Sequence, residues 1–139
     1  MKITLCYKDY ECKVSLLAMK QFKQATKKDL WLTLLQAYNA FITTQNQSEL
    51  DRQAAILSVV DFETGAELFN AVTDKEITTQ EIEDAMYHSG WRNHKDTTAQ
   101  NEPWTLQVVN LAVQYDEIMH DLHEVKKPKP VSEQNESKE

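Results

Sequence analysis

Residues 78–91 read TTQEIEDAMYHSGW and hold one of only two glycines in the chain, directly after a tyrosine, a histidine and a serine. Two readings compete: the mouth of an active site, or the end of a helix. Thr78 is followed three residues later by Glu81, the spacing of a capping box. Ile77 and Ile82 occupy the N′ and N4 places that a hydrophobic staple uses. Ile82, Ala85 and Met86 recur at helical spacing and mark an inward face. Gly90 falls at C′, where a left-handed backbone costs least without a Cβ. Trp91 then stands at C″ and Met86 at C3, the pair that touch in a Schellman motif. A histidine at position 88 also suits the negative end of a helix dipole. Every residue type in the stretch has a structural reason, so the stretch reads as a helix with both ends signed.

The same punctuation recurs upstream. Ser15 is a natural N-cap for a helix whose stripe is Leu16, Met19 and Phe22. Thr26 with Asp29 resembles a second capping box and starts a new helix, in which Leu30, Trp31, Leu34, Leu35, Tyr38 and Phe41 form a wide apolar face. Ser48 and Asp51 repeat the cap logic for a third helix, with Leu50, Ala54, Leu57 and Val59 or Val60 on its inner side. DFETG (61–65) breaks that helix, and AELFNAV (66–72) forms a short fourth one.

Downstream, RNHKDTTAQNE (92–102) reads as a polar loop. Pro103 opens the last helix, where its missing N–H does no harm. Trp104, Val108, Leu111, Tyr115, Ile118 and Leu122 supply a long stripe. The final VKKPKPVSEQNESKE is too poor in apolar side chains to order itself, so residues 126–139 read as a flexible C-terminal tail.

The first fourteen residues follow a different period. Ile3, Leu5 and Tyr7 alternate with Lys2, Thr4, Cys6 and Lys8, and alternation resumes after KDY. Two short strands around Lys8–Asp9 make a β-hairpin, although the turn lacks glycine. An isolated hairpin is not stable in water, so it must lie on the helices that follow. The expected fold is mainly α: residues 1–125 form a single domain with an N-terminal β-hairpin packed on a bundle of about five to six helices.

The 139 residues amount to one domain's worth, enough for one core. No run approaches the length of a membrane span, and the N-terminus lacks the apolar stretch of a signal peptide. These features point to a cytoplasmic protein. Cys6 and Cys12 fit that compartment as free structural thiols, although their spacing across a hairpin leaves a disulfide geometrically conceivable. The net charge of −7 is uneven: residues 1–29 carry seven lysines against three acids, whereas residues 30–125 carry four basic residues against sixteen acids. An acidic body repels phosphate, so nucleic acid is not expected as a partner. The basic opening can meet an acidic partner or another copy's acidic body, or the charges simply keep the domain soluble.

No catalytic constellation stands out. The four histidines are at 88, 94, 120 and 123. Glu117 and His120 make one Glu-x-x-His, but a carboxylate-bridged di-iron bundle needs two such pairs and two further glutamates. A zinc site would require distant segments to converge, and the histidine spacing matches no common pattern. There is no glycine-rich phosphate loop. The sequence therefore implies no catalytic residues, no metal and no cofactor. Large aromatic residues are the anchors of protein interfaces. Trp31, Tyr38, Trp91 and Trp104 lie near element ends and are the candidate partner contacts.

Two quoted stretches carry a family likeness. ATKKDLWLTLLQAY (25–38) has a Thr-x-x-Asp-Leu step opening a helix, and ITTQEIEDAMYHSGWRNH (77–94) has an Ile-Thr-x-x-Glu-Ile-x-Asp-Ala-Met-Tyr run before a polar, histidine-containing loop. With the alternating opening and the order of helices, the chain resembles the tail assembly chaperones of long-tailed bacteriophages over roughly residues 1–125. The resemblance implies binding to the tape measure protein, a very long helical protein, which is kept soluble until the tail tube polymerises around it. It also implies residence in the host cell cytoplasm, absence from the mature virion, and in many cases a longer frameshifted form that would extend from the tail after Lys126. A homo-oligomer presenting several grooves is compatible with this. The alternative is a small cytoplasmic adaptor or regulatory protein-binding module with no catalytic activity; a metal-dependent enzyme using the histidines ranks behind both.

Overall fold

A computed structural model describes residues 1–90 and 102–126, with side chains to residue 121. Trp91, His94 and the segment after Lys126 lie outside the described residues, as do the side chains of Leu122 and His123. The elements run β1 (Lys2–Leu5), β2 (Lys8–Glu11), α1 (Leu16–Thr26), α2 (Leu30–Thr43), α3 (Glu49–Leu57), α4 (Phe62–Val72), α5 (Thr79–His88) and α6 (Trp104–Lys126). The expected class holds: mainly helical, with an N-terminal hairpin laid on the helices.

The hairpin register pairs Lys2 with Glu11, Ile3 with Tyr10, Thr4 with Asp9 and Leu5 with Lys8. The loop is therefore Cys6–Tyr7, not the expected Lys8–Asp9. Both residues have positive φ, 50° and 70°. Such a two-residue turn matches the strand twist, but it normally recruits glycine or asparagine. A cysteine and a tyrosine in that conformation conceal the turn from a reader looking for glycine. Cys6 and Cys12 are free thiols. Cys12 is buried, and burial pushes its thiol up to about 12.

Ile3, Leu5 and Tyr10 point inward and are buried. The outward backbone groups of β1 meet side-chain amides of α6 rather than a third strand. Lys2 N–H donates to Gln114 Oε1 at 3.0 Å, Gln114 Nε2 donates to Lys2 O at 2.7 Å, and Thr4 N–H donates to Gln107 Oε1 at 2.9 Å. Gln107 and Gln114 stand two turns apart on one helix face, so both reach the same strand edge. On its far side β2 is tied to α5: Lys8 Nζ and Tyr10 Oη both donate to Glu81 Oε2, at 2.9 and 3.2 Å. The chain past β2 pairs with the end of α4, where Lys13 N–H donates to Val72 O.

The helix starts follow their caps. Ser15, Asp29, Ser48, Asp61 and Thr78 each accept an N–H from the residue three positions on. Three details differ from expectation. Asp29 itself caps α2, while Thr26 ends α1 with its hydroxyl on Phe22 O. Asp61 caps α4, so the helix takes in Phe62–Gly65 and is longer than the expected 66–72. Thr78 caps α5 through Glu81 N–H, but the Glu81 side chain turns to the hairpin and leaves the box half made. At the other end of α5, Ser89 is extended (ψ 156°), and both its N–H and its hydroxyl reach Met86 O. Gly90 has the anticipated positive φ, 77°. It has a second reason as well: a Cβ there would lie 2.5 Å from Pro103 Cα, because the chain returns to α6 at this point.

The core joins Phe22 of α1, Leu30 and Leu34 of α2, Ile56 of α3, Leu68 and Phe69 of α4, Ile82 and Met86 of α5, and Val108 and Leu111 of α6. The main packing partners are α2 with α6, α1 with α4, α2 with α3 and α4 with α5. Several stripes are rotated relative to expectation. Leu16 is exposed, and α1 buries Ala18 and Phe22. On α2 the small residues Thr33, Ala37 and Ala40 face inward, with Leu35 and Tyr38 outward. Along α3 itself the facing is reversed: Gln53 and Ile56 are buried, whereas Leu50 and Leu57 are exposed; Val60, just past the helix, is buried as expected. On α6 the buried face is Thr105, Gln107, Val108, Val109, Leu111 and Ala112; Ile118 lies out in solvent.

Candidate functional site

The outward stripe of α3 has a destination. Leu50, Ala54 and Leu57 form one wall of a cleft of about 500 Å³ whose other walls are Phe62 at the start of α4, Met86 and Tyr87 at the end of α5, and Pro103, Trp104 and Thr105 at the start of α6. Four of these side chains are large, apolar and open to solvent: Leu50 is 78% exposed, Tyr87 52%, Leu57 42% and Phe62 37%. A contiguous group of this kind, as opposed to a lone exposed leucine, is uncommon on a protein surface and makes this cleft the candidate site.

The floor of the cleft is set by Trp104. Its indole is edge-on to Phe62, with ring centroids 6.1 Å apart, and edge-on to Phe69 at 6.5 Å. Edge-to-face pairs of this geometry are favourable and fix the ring's orientation. Gly65 lies beneath: a Cβ on it would stand 2.5 Å from Trp104 Cζ3 and 3.1 Å from Met86 Cε. The second glycine of the chain thus makes room for the tryptophan against α4.

One polar strand crosses the cleft edge. Thr105 Oγ1 donates to Gln53 Oε1, Gln53 Nε2 donates to Glu49 Oε2 at 2.9 Å, and Arg52 Nη2 donates to Glu49 Oε1 at 2.6 Å. Gln53 is a buried amide with partners at both ends, which is how such a group avoids a desolvation cost. Arg52, and then Gln53, hold the Glu49 carboxyl below the usual carboxylate range. Glu49 is therefore held as a carboxylate whose charge Arg52 already balances.

Of the sequence-derived contact candidates, Trp104 lies in this cleft. Trp31 and Tyr38 lie elsewhere, together, in a smaller groove of about 320 Å³ between α2 and α6 that also takes in Leu35, Ala112, Val113, Asp116 and Glu117. Trp31 is braced there by Tyr115, edge-on with centroids 4.9 Å apart. The four aromatics thus do not build one surface: two share the α2–α6 groove, one floors the larger cleft, and Trp91 lies outside the described residues. Sequence reasoning missed Leu50 and Leu57, which it assigned to the core, along with Phe62 and Tyr87. The available signal was the buried glutamine. Gln53, Ile56 and Val60 also recur at helical spacing, and choosing between the two faces needed the position of Thr105.

Among the described residues, no group of three or more His, Cys, Asp or Glu side chains is placed to hold a metal ion. Among the same residues, no helix is long and apolar enough to cross a membrane. Comparison of the chain with protein-family models, with curated proteins and with solved structures finds no match.

Proposed function

We propose that this protein is a tail assembly chaperone: it binds the helical tape measure protein, keeps it soluble in the host cytoplasm while the tail tube forms, and does not remain in the virion. The observation that carries the binding half of this reading is the apolar cleft, with Leu50, Leu57, Phe62 and Tyr87 open to solvent around Trp104. An amphipathic helix docks by laying apolar side chains, spaced three and four apart, into such a groove. The aromatic floor supplies the anchor type that dominates interface energies. The identity of the partner comes from the likeness of residues 25–38 and 77–94 to the chaperone family.

The test is co-expression with a tape measure protein, a long helical chain. The expected result is a complex and a larger soluble fraction of the partner. Leu50→Glu with Leu57→Glu places two charges on the cleft wall at exposed positions. This pair should leave the circular dichroism spectrum unchanged and abolish the complex. A partner equally soluble without the chaperone, or a complex indifferent to these two substitutions, would refute the reading.

A further inference from the structure

The groove between α2 and α6 has a chemistry that the larger cleft lacks, and we infer that it is a receiving site for an arginine side chain presented by a partner's apolar segment. Its walls are two aromatic rings, Trp31 and Tyr38, with Leu35, Ala112 and Val113 between them. Asp116 and Glu117 stand at its mouth, adjacent on α6. Among the described residues, no lysine or arginine lines it. Among the described residues, neither carboxylate has an ion-pair or hydrogen-bond partner, unlike Asp9, Glu49 and Glu81, which are all engaged.

Aromatic rings attract a cation through the negative potential of their faces, and tryptophan does so best. Carboxylates at the mouth add a charge-assisted hydrogen bond. Arginine satisfies both demands at once, because its planar guanidinium stacks on rings and presents paired N–H donors to carboxylate oxygens. A lysine ammonium is a compact point charge that stacks poorly and stays more strongly hydrated. The ground around the groove suits an apolar carrier: Leu35 and Tyr38 are exposed on α2, and Ile42 continues the same stripe one turn on. The occupant is therefore a segment with leucine-like side chains and one arginine among them. This inference is independent of the larger cleft and of the identity of the tape measure partner.

The test uses the full chain and three synthetic 18-residue amphipathic helices, built from leucine and alanine and identical except for one central residue. That residue is arginine, its uncharged isostere citrulline, or lysine. Binding is read from the shift of the Trp31 indole N–H resonance, assigned by its loss in Trp31→Phe. The arginine peptide should bind at least tenfold more tightly than the citrulline peptide and severalfold more tightly than the lysine peptide. Asp116→Asn with Glu117→Gln, both at exposed positions, should erase the difference between arginine and citrulline while leaving the citrulline affinity unchanged. Equal affinity for arginine and citrulline overturns the inference, as does a lysine peptide that binds as tightly as the arginine one. A failure of all three peptides to move the Trp31 resonance at millimolar concentration overturns it as well. None of these outcomes depends on the Leu50 and Leu57 test of the larger cleft, so the two readings stand or fall separately.

Discussion

Gly65→Ala tests the packing of the cleft floor, because two opposed effects must be weighed. Gly65 lies inside α4, and replacing a helix-interior glycine with alanine gains about 1 kcal/mol from backbone propensity alone. Against this, the new methyl would start 2.5 Å from Trp104 Cζ3 and 3.1 Å from Trp104 Cε3. The ring must move by about 1 Å to reach an ordinary carbon–carbon separation of about 3.5 Å. It cannot move inward, because Phe69 is fully buried and edge-on to it. It can only swing toward the cleft, losing the two edge-on aromatic contacts at about 0.5–1.5 kcal/mol each. Exposing about 50 Å² of indole adds about 1.2 kcal/mol. The sum of losses exceeds the propensity gain, so Gly65→Ala should destabilise the fold by about 1–3 kcal/mol, the usual range for overpacking. Urea unfolding followed by circular dichroism gives the midpoint, and tryptophan emission should shift to the red as Trp104 meets water. In a Trp104→Leu background the clash is gone, and the same substitution should become neutral or stabilising by about 1 kcal/mol, revealing a coupling energy between the two sites. A Gly65→Ala protein more stable than the parent, or a cost that persists without the indole, would refute the argument.

Other substitutions probe the rest of the fold. Cys6→Asn with Tyr7→Gly replaces two left-handed non-glycine residues by the pair that such turns prefer, and should raise stability by about 1–2 kcal/mol in urea melts with unchanged slope. Gln107→Met leaves Thr4 N–H without its acceptor and should cost about 1–3 kcal/mol, seen as faster amide exchange at Thr4 as well as a lower midpoint. With its thiol pushed up to about 12, Cys12 should resist an aromatic disulfide reagent at pH 8 while Cys6 reacts; equal rates in the native protein would contradict the burial. Glu81 has a carboxyl held below its ordinary 4.5, first by the hydrogen bond from Lys8. A carboxylate with a lowered folded-state pKa contributes stability that is present above 4.5 and lost as pH falls below it. Lys8→Met should therefore flatten the acid limb of the stability–pH curve in that window, as measured by midpoints from pH 6 down to pH 3.

Helix existence and most helix starts were legible, because a cap is a local event: an oxygen at Ser15, Asp29, Ser48, Asp61 or Thr78 needs only the N–H three residues on. The facing of the helices was less so. On α2 the large residues drew attention to Leu35 and Tyr38, whereas the buried positions include Ala37 and Ala40, small residues with weak hydrophobic signals. On α3 two stripes were available, and the one with less apolar surface went inward because Gln53 finds a partner in Thr105, fifty-two positions away. The hairpin turn was misplaced for a related reason: its left-handed residues carry side chains that local chemistry does not favour there. The cleft was illegible for the same reason as the α3 facing, since its α3 wall is made of residues, Leu50 and Leu57, that the periodicity assigns to a core. Trp104 and the pair Trp31 and Tyr38 were legible as anchors by residue type, but not as members of two separate surfaces.

The glutamine clamp on β1 has a consequence for the order of events at the ribosome. Lys2 and Thr4 emerge well before the amides that complete their backbone hydrogen bonds, which belong to Gln107 and Gln114, more than a hundred positions later. Until those residues are synthesised, the nascent chain carries an open strand edge, the feature through which polypeptides recruit one another. Closing a loop of that length makes the last helix, not the first hairpin, the step that commits the domain to its final topology. A stall or truncation before residue 107 would therefore release a chain whose helices are signed and capped but whose opening strand still has an edge to share.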